Sequence, residues 1–109
     1  MSYTVNGREL DTDDQGYLLE ADYDDATVRT IAAAEGIALT DAHWAVVNYL
    51  RDEFREHGHT PNFRNMLKGF QAIRPEADSQ YLYELFPMGP AKQAVKLAGL
   101  PQPYGKGGY

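Results

Sequence analysis

The spacing of apolar residues divides the chain into a short strand pair followed by helices. Residues 3–5 and 8–10 flank Asn6-Gly7, the pair that best tolerates the positive φ angles of a type I′ turn, which predicts a β-hairpin over 3–10. Further along, apolar residues recur at helical spacing between capping residues, glycines and prolines. These signals predict five helices, at about residues 25–35, 41–57, 61–73, 79–86 and 91–98.

The capping residues predict where the helices begin, and the apolar faces predict which of their residues are buried. Asp24 or Asp25 begins the first helix, and Thr60 caps the third, with Pro61 at its first position. Trp44 in the second helix is predicted to anchor the core. The third helix carries an apolar stripe of Phe63, Met66, Leu67, Phe70 and Ile73. The predicted fold class is mainly α with a small N-terminal β-hairpin.

The last ten residues have a different character. Leu100 to Tyr104 alternates proline with other residues and is predicted to be extended, whereas the glycine-rich end has no pattern that holds one conformation. We therefore predict a helical domain over 1–99 and a flexible C-terminal arm over 100–109.

Composition and charge exclude several classes of protein. A chain of 109 residues forms one domain, and its net charge of -6 disfavours non-specific binding of polyanions. It contains no cysteine, so disulfides and thiolate-ligated metals play no part. No apolar stretch approaches the roughly 18 residues of a membrane span, and the N-terminus lacks the features of a leader peptide. We expect a cytoplasmic monomer without a membrane segment.

No constellation of residues predicts an enzyme or a cofactor site. His57 and His59 straddle a predicted helix end, His43 lies almost four turns earlier, and no cysteine or HExxH-type pair completes a ligand set, so surface and capping roles are favoured and no metal is expected. The chain has no nucleophilic serine motif and no glycine-rich phosphate loop. We expect no catalytic residues and no cofactor.

Nucleic-acid binding is an alternative that the helices leave open. Residues 41–73 have the outline of a helix-turn-helix, and the second of these helices displays residues that can contact phosphates or bases. The same residues also suit an ordinary solvated helix face. The candidate contacts to nucleic acid or to a protein partner are Arg64, Lys68, Arg74, Lys92 and Lys96.

The C-terminal third resembles a known family. Residues 89–103, GPAKQAVKLAGLPQP, are similar to the C-terminal signature of the DsrC/TusE sulfur-relay family, and the resemblance extends upstream through SQYLYELFP at 79–87. It continues through EGIALT at 35–40, His43-Trp44, NGREL at 6–10 and GYL at 16–18, so it covers nearly the whole chain. The resemblance implies an orthogonal helical domain with an N-terminal hairpin, a helix-turn-helix-like element and a mobile C-terminal arm.

The resemblance also implies where sulfur would be carried. Members of the family that carry sulfur hold it as a persulfide on the penultimate cysteine of the arm, and some have a second cysteine eleven positions earlier. In this sequence these positions are occupied by Lys106 and Val95. Only a thiolate can attack a sulfane sulfur and hold it as a persulfide, so we expect this chain not to be a carrier.

Two hypotheses follow. The first is a non-catalytic, regulatory protein of sulfur metabolism that binds a sulfurtransferase, such as one that acts in tRNA thiolation, or a sulfite reductase. Its arm supplies the contacts Leu100, Pro101, Pro103, Tyr104, Gly105, Lys106 and Tyr109. The second is a nucleic-acid-binding transcriptional regulator that uses the helix-turn-helix-like element.

Overall fold

The computed structural model describes residues 2–102. Its N-terminus is an antiparallel hairpin of β1 (Ser2–Val5) and β2 (Arg8–Asp11), in which Val5 pairs with Arg8. Asn6 and Gly7 have φ angles of 50° and 80°, as a two-residue turn of this type requires. The predicted hairpin is confirmed.

The remainder is helical. The helices are α1 (Asp25–Ala34), α2 (Asp41–His57), α3 (Phe63–Ile73), α4 (Ser79–Leu85), a π-helical segment (Pro90–Ala94) and α5 (Val95–Leu97), which continues directly from it. The predicted fold class, mainly α with a small hairpin, is thus confirmed. Within residues 2–102 no helix is long and apolar enough to cross a membrane.

The C-terminal helical segment lies at the centre of the molecule. The π-helical segment contacts α2, α3 and α4, while α5 packs on α1 and α2. Every residue from Pro90 to Leu97 is buried except Lys92 and Lys96. Residues 90–97 therefore form the central helix around which the other four are arranged.

Two predicted helix starts differ from the structure. Asn62, not Thr60, caps α3, because its side-chain oxygen accepts a hydrogen bond from the Asn65 N–H at 2.9 Å. Pro61 consequently precedes the helix. The last helix was predicted as regular α-helix, but it begins as a π-helix. At its start the Gln93 side chain accepts from the Met88 N–H at 3.0 Å, and Pro90 occupies the first turn.

Two predictions about the core are wrong. Trp44 is only half-buried and lies beside the buried face of α2, because that face is centred on Val46, Val47 and Leu50. Arg29 lies over its ring at 5.5 Å. Ile73, predicted in the apolar stripe of α3, is 58% exposed at the end of the helix. The largest fully buried side chains are Phe70 and Phe86.

A buried charge connects two helix ends to the middle of α2. The Arg51 guanidinium donates to Asp25 Oδ1 at 2.9 Å and to the carbonyl oxygens of Asp24 and Ala98, both at 3.3 Å. The side chain thereby holds α2 against the start of α1 and the end of α5. A buried charge is tolerated when it is paired in this way.

Candidate functional site

The base of the C-terminal arm is fixed to the core. Leu100 is fully buried, and its N–H donates to the Val95 carbonyl at 3.3 Å. Gly99 has φ +78° and accepts a hydrogen bond from the Asp22 N–H, and a Cβ at Gly99 would collide with the Asp22 carbonyl oxygen. Leu100 is therefore a core residue here, which corrects its prediction as a partner contact.

The rest of the arm leaves the domain beside the loop that follows β2. Pro101 is half-buried, and the exposed Gln102 donates to Gln15 Oε1 at 3.2 Å. The predicted contacts Pro103, Tyr104, Gly105, Lys106 and Tyr109 lie outside the described residues. Val95, at the position that the resemblance assigns to the second family cysteine, is completely buried.

A polar cluster lies beside Val95 on the central helix. Gln93 donates to Glu35 Oε1 at 3.2 Å, and Lys96 Nζ is 3.8 Å from the same oxygen. Lys96 also lies over the ring of Tyr17, 5.4 Å from its centroid, and the Tyr17 hydroxyl donates to the Lys92 carbonyl at 3.2 Å. The cluster is charge-balanced, so it holds the central helix against α1 and the loop of Tyr17 rather than presenting a free charge.

The cluster also perturbs a neighbouring tyrosine. Burial raises the pKa of Tyr3, and the negative charge of Glu35 raises it further. The Tyr3 hydroxyl stays protonated at neutral pH. It lies close to Gly16, next to the Lys96 ammonium group.

The predicted basic contacts do not share one environment. Arg64 and Lys68 are exposed on α3, whereas Arg74 is half-buried and donates to the Tyr81 hydroxyl at 3.5 Å. Lys92 is exposed on the central helix, and Lys96 is paired with Glu35 as described above. Of these five predicted contacts, the exposed ones are thus Arg64, Lys68 and Lys92.

An apolar groove opens between α3, α4 and the central helix. It has a volume of about 440 Å³ and is lined mainly by Phe63, Tyr83, Pro87, Met88, Pro90 and Lys92. The rings of Phe63 and Tyr83 are 5.6 Å apart. Met88 and Tyr83 are 78% and 48% exposed. We call this feature the Met88 groove.

The Met88 groove and the Glu35 cluster were not predicted from the sequence. Gln93 and Glu35 are 58 positions apart, and no local pattern pairs them. For the groove, one signal was available in the sequence: Met88 stands between two prolines, where a helix cannot bury it.

One set of side chains has the composition of a metal site. Glu53, Glu56 and His57 place their ligand atoms within 4.8 Å of one another on the last turns of α2, and the rings of His57 and His59 stack 6.0 Å apart. Glu56 and His57 are exposed, and His57 lies 4.0 Å from Glu53 as an ion pair of neighbouring helix turns. These contacts are those of an ordinary polar helix end.

His43 has a structural role. Its Nδ1 accepts from the Thr40 N–H at 3.1 Å, which leaves the Nε2–H to donate to the Leu85 carbonyl at 2.9 Å. Its ring also packs edge-on against Phe86. The predicted capping role is confirmed for His43, and the residue in addition connects α2 to the end of α4.

Comparison with known proteins agrees with this architecture. Residues 4–106 match the family model described as DsrC like protein. A sulfurtransferase TusE homolog of Haemophilus influenzae is 45% identical over 102 residues, which are 91% of this chain and 94% of that protein. Sulfurtransferase TusE of Escherichia coli is 44% identical, over 89% of this chain and 92% of the relative.

Two solved structures have the same fold. The NMR structure of DsrC from Allochromatium vinosum is 36% identical and superposes with a TM-score of 0.86, over 97% of this chain and 99% of that one. The oxidized gamma-subunit of the dissimilatory sulfite reductase from Archaeoglobus fulgidus is 35% identical with a TM-score of 0.85, at the same coverage. The chain belongs to the DsrC-like family, as its resemblance predicted.

Proposed function

We propose that this chain is a regulatory binding protein of the sulfur relay that does not itself carry sulfur. The observation that carries the proposal is that a chain of this family has no cysteine among its 109 residues. Sulfur transfer requires a thiolate to attack the outer sulfur of a donor persulfide and to release the donor thiolate. This chain offers no such nucleophile, so binding is the activity that remains.

The proposed partners are a sulfurtransferase, such as one that serves tRNA thiolation, or a sulfite reductase of the dissimilatory type. The names of the relatives and structural neighbours support both classes. The arm from Pro101 onwards supplies contacts, because two prolines reduce the ordering entropy and Tyr104 offers an aromatic side chain. The chain acts as a competitor or sensor in the cytoplasm.

Sulfur loading tests the first half of the proposal. The chain and a Lys106→Cys variant are incubated with a persulfide donor that carries radioactive sulfur, and protein-bound label is counted after gel filtration. We expect label on the variant and none on the natural chain. Stable label on the natural chain that a thiol reductant removes would overturn the proposal.

Binding tests the second half. Purified sulfite reductase and sulfurtransferase complexes are passed over the immobilised full chain and over a chain that ends at Gln102, which keeps Leu100 in the core. We expect the full chain to bind one of them and the shortened chain to bind it about tenfold more weakly. If neither complex binds the full chain, the proposed sulfur-relay function is wrong. If the full and the shortened chain bind equally well, only the proposed role of the arm in binding is wrong.

A nucleic-acid-binding regulator is the second candidate. The observation that favours it is that Arg64 and Lys68 are exposed on α3, which contains no acidic residue. A gel shift with promoter DNA that weakens with salt and is lost in Arg64→Ala supports this function. Absence of a shift at low salt removes it.

A further inference from the structure

The Met88 groove brings together two exposed hydrophobic residues. Five large hydrophobic residues are exposed within residues 2–102, and two of them, Tyr83 and Met88, line this one groove. Exposed apolar surface that is gathered in one place marks interaction sites, whereas singly scattered residues do not. The groove is therefore a candidate docking surface.

The walls of the groove are held in place before any partner arrives. The Gln93 side chain, itself buried, accepts from the Met88 N–H at 3.0 Å and donates to Glu35. Phe63 and Tyr83 pack against each other across the groove. Such preorganisation lowers the entropy cost of binding, while the unbranched Met88 side chain adapts to the shape of the partner.

Two of the three elements around the groove, α3 and the central helix, carry no acidic residue, whereas α4 carries the exposed Glu84 next to Tyr83. All 16 acidic residues of the chain lie outside α3 and outside the central helix, which between them carry four cations. Arg64, next to Phe63, and Lys92, in the groove lining, are both exposed, and so is Lys68 one turn further along α3. In a protein of net charge -6, this surface is complementary to a negatively charged partner.

We infer that the Met88 groove binds an acidic amphipathic helix of a partner protein, with the apolar face of that helix on Met88, Phe63 and Tyr83. An apolar floor suits a helix face with anchors at i, i+3, i+4 and i+7. Nucleic acid is disfavoured, because the three exposed cations beside the groove, on an acidic protein, offer few phosphate contacts. The inference deepens the proposed function and rests on it only in taking this chain to be a binding protein.

A titration followed by NMR tests the inference without a natural partner. The ¹⁵N-labelled full chain is titrated with a designed helical peptide of about 15 residues that carries Leu on one face and Glu on the others. A second peptide replaces each Glu by Lys, and a single-stranded oligonucleotide is the third probe. We expect the acidic peptide alone to bind, and to shift the amide signals of Phe63, Arg64, Tyr83 and Met88.

Three variants, one of them a control, complete the test. Met88→Asp places a carboxylate in the groove at an exposed position, and we expect about tenfold weaker binding of the acidic peptide. Leu19→Asp makes the same change at a residue that is 58% exposed beside β2, and we expect no effect. Arg64→Gln is expected to weaken binding by a few fold.

The outcomes separate this inference from the proposed function. The inference is overturned if the acidic peptide shifts no groove signal, if the basic peptide or the oligonucleotide binds at least as tightly, or if Met88→Asp binds as well as Leu19→Asp. If the peptide binds and no sulfur-relay protein does, the proposed function alone fails. If a relay protein binds and the peptide does not, the groove alone fails.

Discussion

Gly69 lies in α3 directly against the ring of Tyr49 in α2. A Cβ at this position would collide with the Tyr49 hydroxyl, and the next ring carbon is only 2.8 Å away. The close approach of the two helices therefore requires a residue without a side chain. Burial of the same tyrosine, with a contribution from Glu53, raises the pKa of Tyr49 to about 12.

Gly69→Ala is expected to destabilise the protein by about 1–3 kcal/mol, because the overlap outweighs the roughly 1 kcal/mol that alanine gains over glycine in a helix. Urea unfolding at pH 7 measures the change. In a Tyr49→Phe background, which removes the colliding hydroxyl, the cost should be smaller. A more stable Gly69→Ala protein would show that propensity alone governs this position.

Asp22 forms a surface network whose effect depends on pH. The Arg8 guanidinium donates to Asp22 Oδ2 at 2.8 Å, the Thr27 hydroxyl donates to Oδ1 at 2.8 Å, and together they hold the pKa of Asp22 below its usual range. A carboxyl whose pKa is lower in the folded state stabilises the fold above its unfolded pKa of about 4, and this contribution is lost as the pH falls through the folded pKa.

Asp22→Asn should therefore destabilise the protein at pH 7, and the difference from the natural chain should shrink steadily below about pH 4. Urea unfolding of both proteins at a series of pH values measures this. Asp14→Asn, at an exposed position of the turn after β2, is the control and should change the free energy of unfolding little. A difference that stays constant down to pH 2 would contradict the assigned role of the charge.

Residue roles could be predicted where their cause is local. Asp24, one of the two predicted caps, caps α1, and its side chain accepts a hydrogen bond from the Ala26 N–H. Trp44 was misplaced because helical spacing identifies an apolar face but not its centre, which depends on what packs against it. The contacts of Arg51 with Asp25 and Ala98 join residues 26 and 47 positions away, which no sequence window contains.

At the scale of elements, the hairpin and the helices followed from periodicity and caps, but the π-helical segment did not. Its first turn depends on Gln93, which satisfies the Met88 N–H and contacts Glu35 in another element. A buried polar side chain with partners on both sides holds this segment in place. The periodicity of apolar residues predicts which residues are buried. It does not predict which backbone groups a side chain will bond to.

Gln93→Ala is expected to cost about 1–3 kcal/mol, because it leaves the Met88 N–H without its partner and removes the contact with Glu35. Thermal and urea unfolding measure the loss. Gln80→Ala, which removes an exposed glutamine bonded to Glu84, is the matched control and should stay within about 0.5 kcal/mol of the natural chain. Equal effects of the two changes would show that Gln93 does not hold the central helix.

At the scale of the whole molecule, the structure places the end of the core after Leu100. The sequence pattern predicts a boundary between residues 99 and 100, since the proline-spaced stretch begins there. Leu100 is nevertheless fully buried and is hydrogen-bonded to Val95. Composition predicts where the helix gives way to an extended stretch. Whether a residue of that stretch is buried depends on the path of the chain after the helix ends.

A chain that ends at Gln102 is expected to unfold at nearly the same urea concentration as the full chain. A chain that ends at Gly99 should lose about 2–5 kcal/mol, the cost of removing a buried leucine. Equilibrium unfolding of the three proteins decides the boundary. Equal stability of the two shortened chains would show that Leu100 contributes nothing to the core.

The candidate site could be predicted only in part. The resemblance located the arm and Val95, because those signals are continuous in sequence. The Met88 groove combines α3, α4 and the central helix, so its residues come from three distant stretches of the chain. The groove forms only when these three elements pack together, so no single sequence motif predicts it.

The absence of carboxylates from α3 and the central helix also acts at a distance. With 16 acidic residues elsewhere and four cations on these two elements, of which Lys96 is paired with Glu35, the charges of the molecule are unevenly distributed, so a negatively charged partner is attracted most strongly to this side. This attraction extends over a Debye length of about 8 Å at physiological ionic strength. The uneven charge distribution therefore orients the molecule relative to an acidic partner before contact. It raises the rate of association more than the lifetime of the complex.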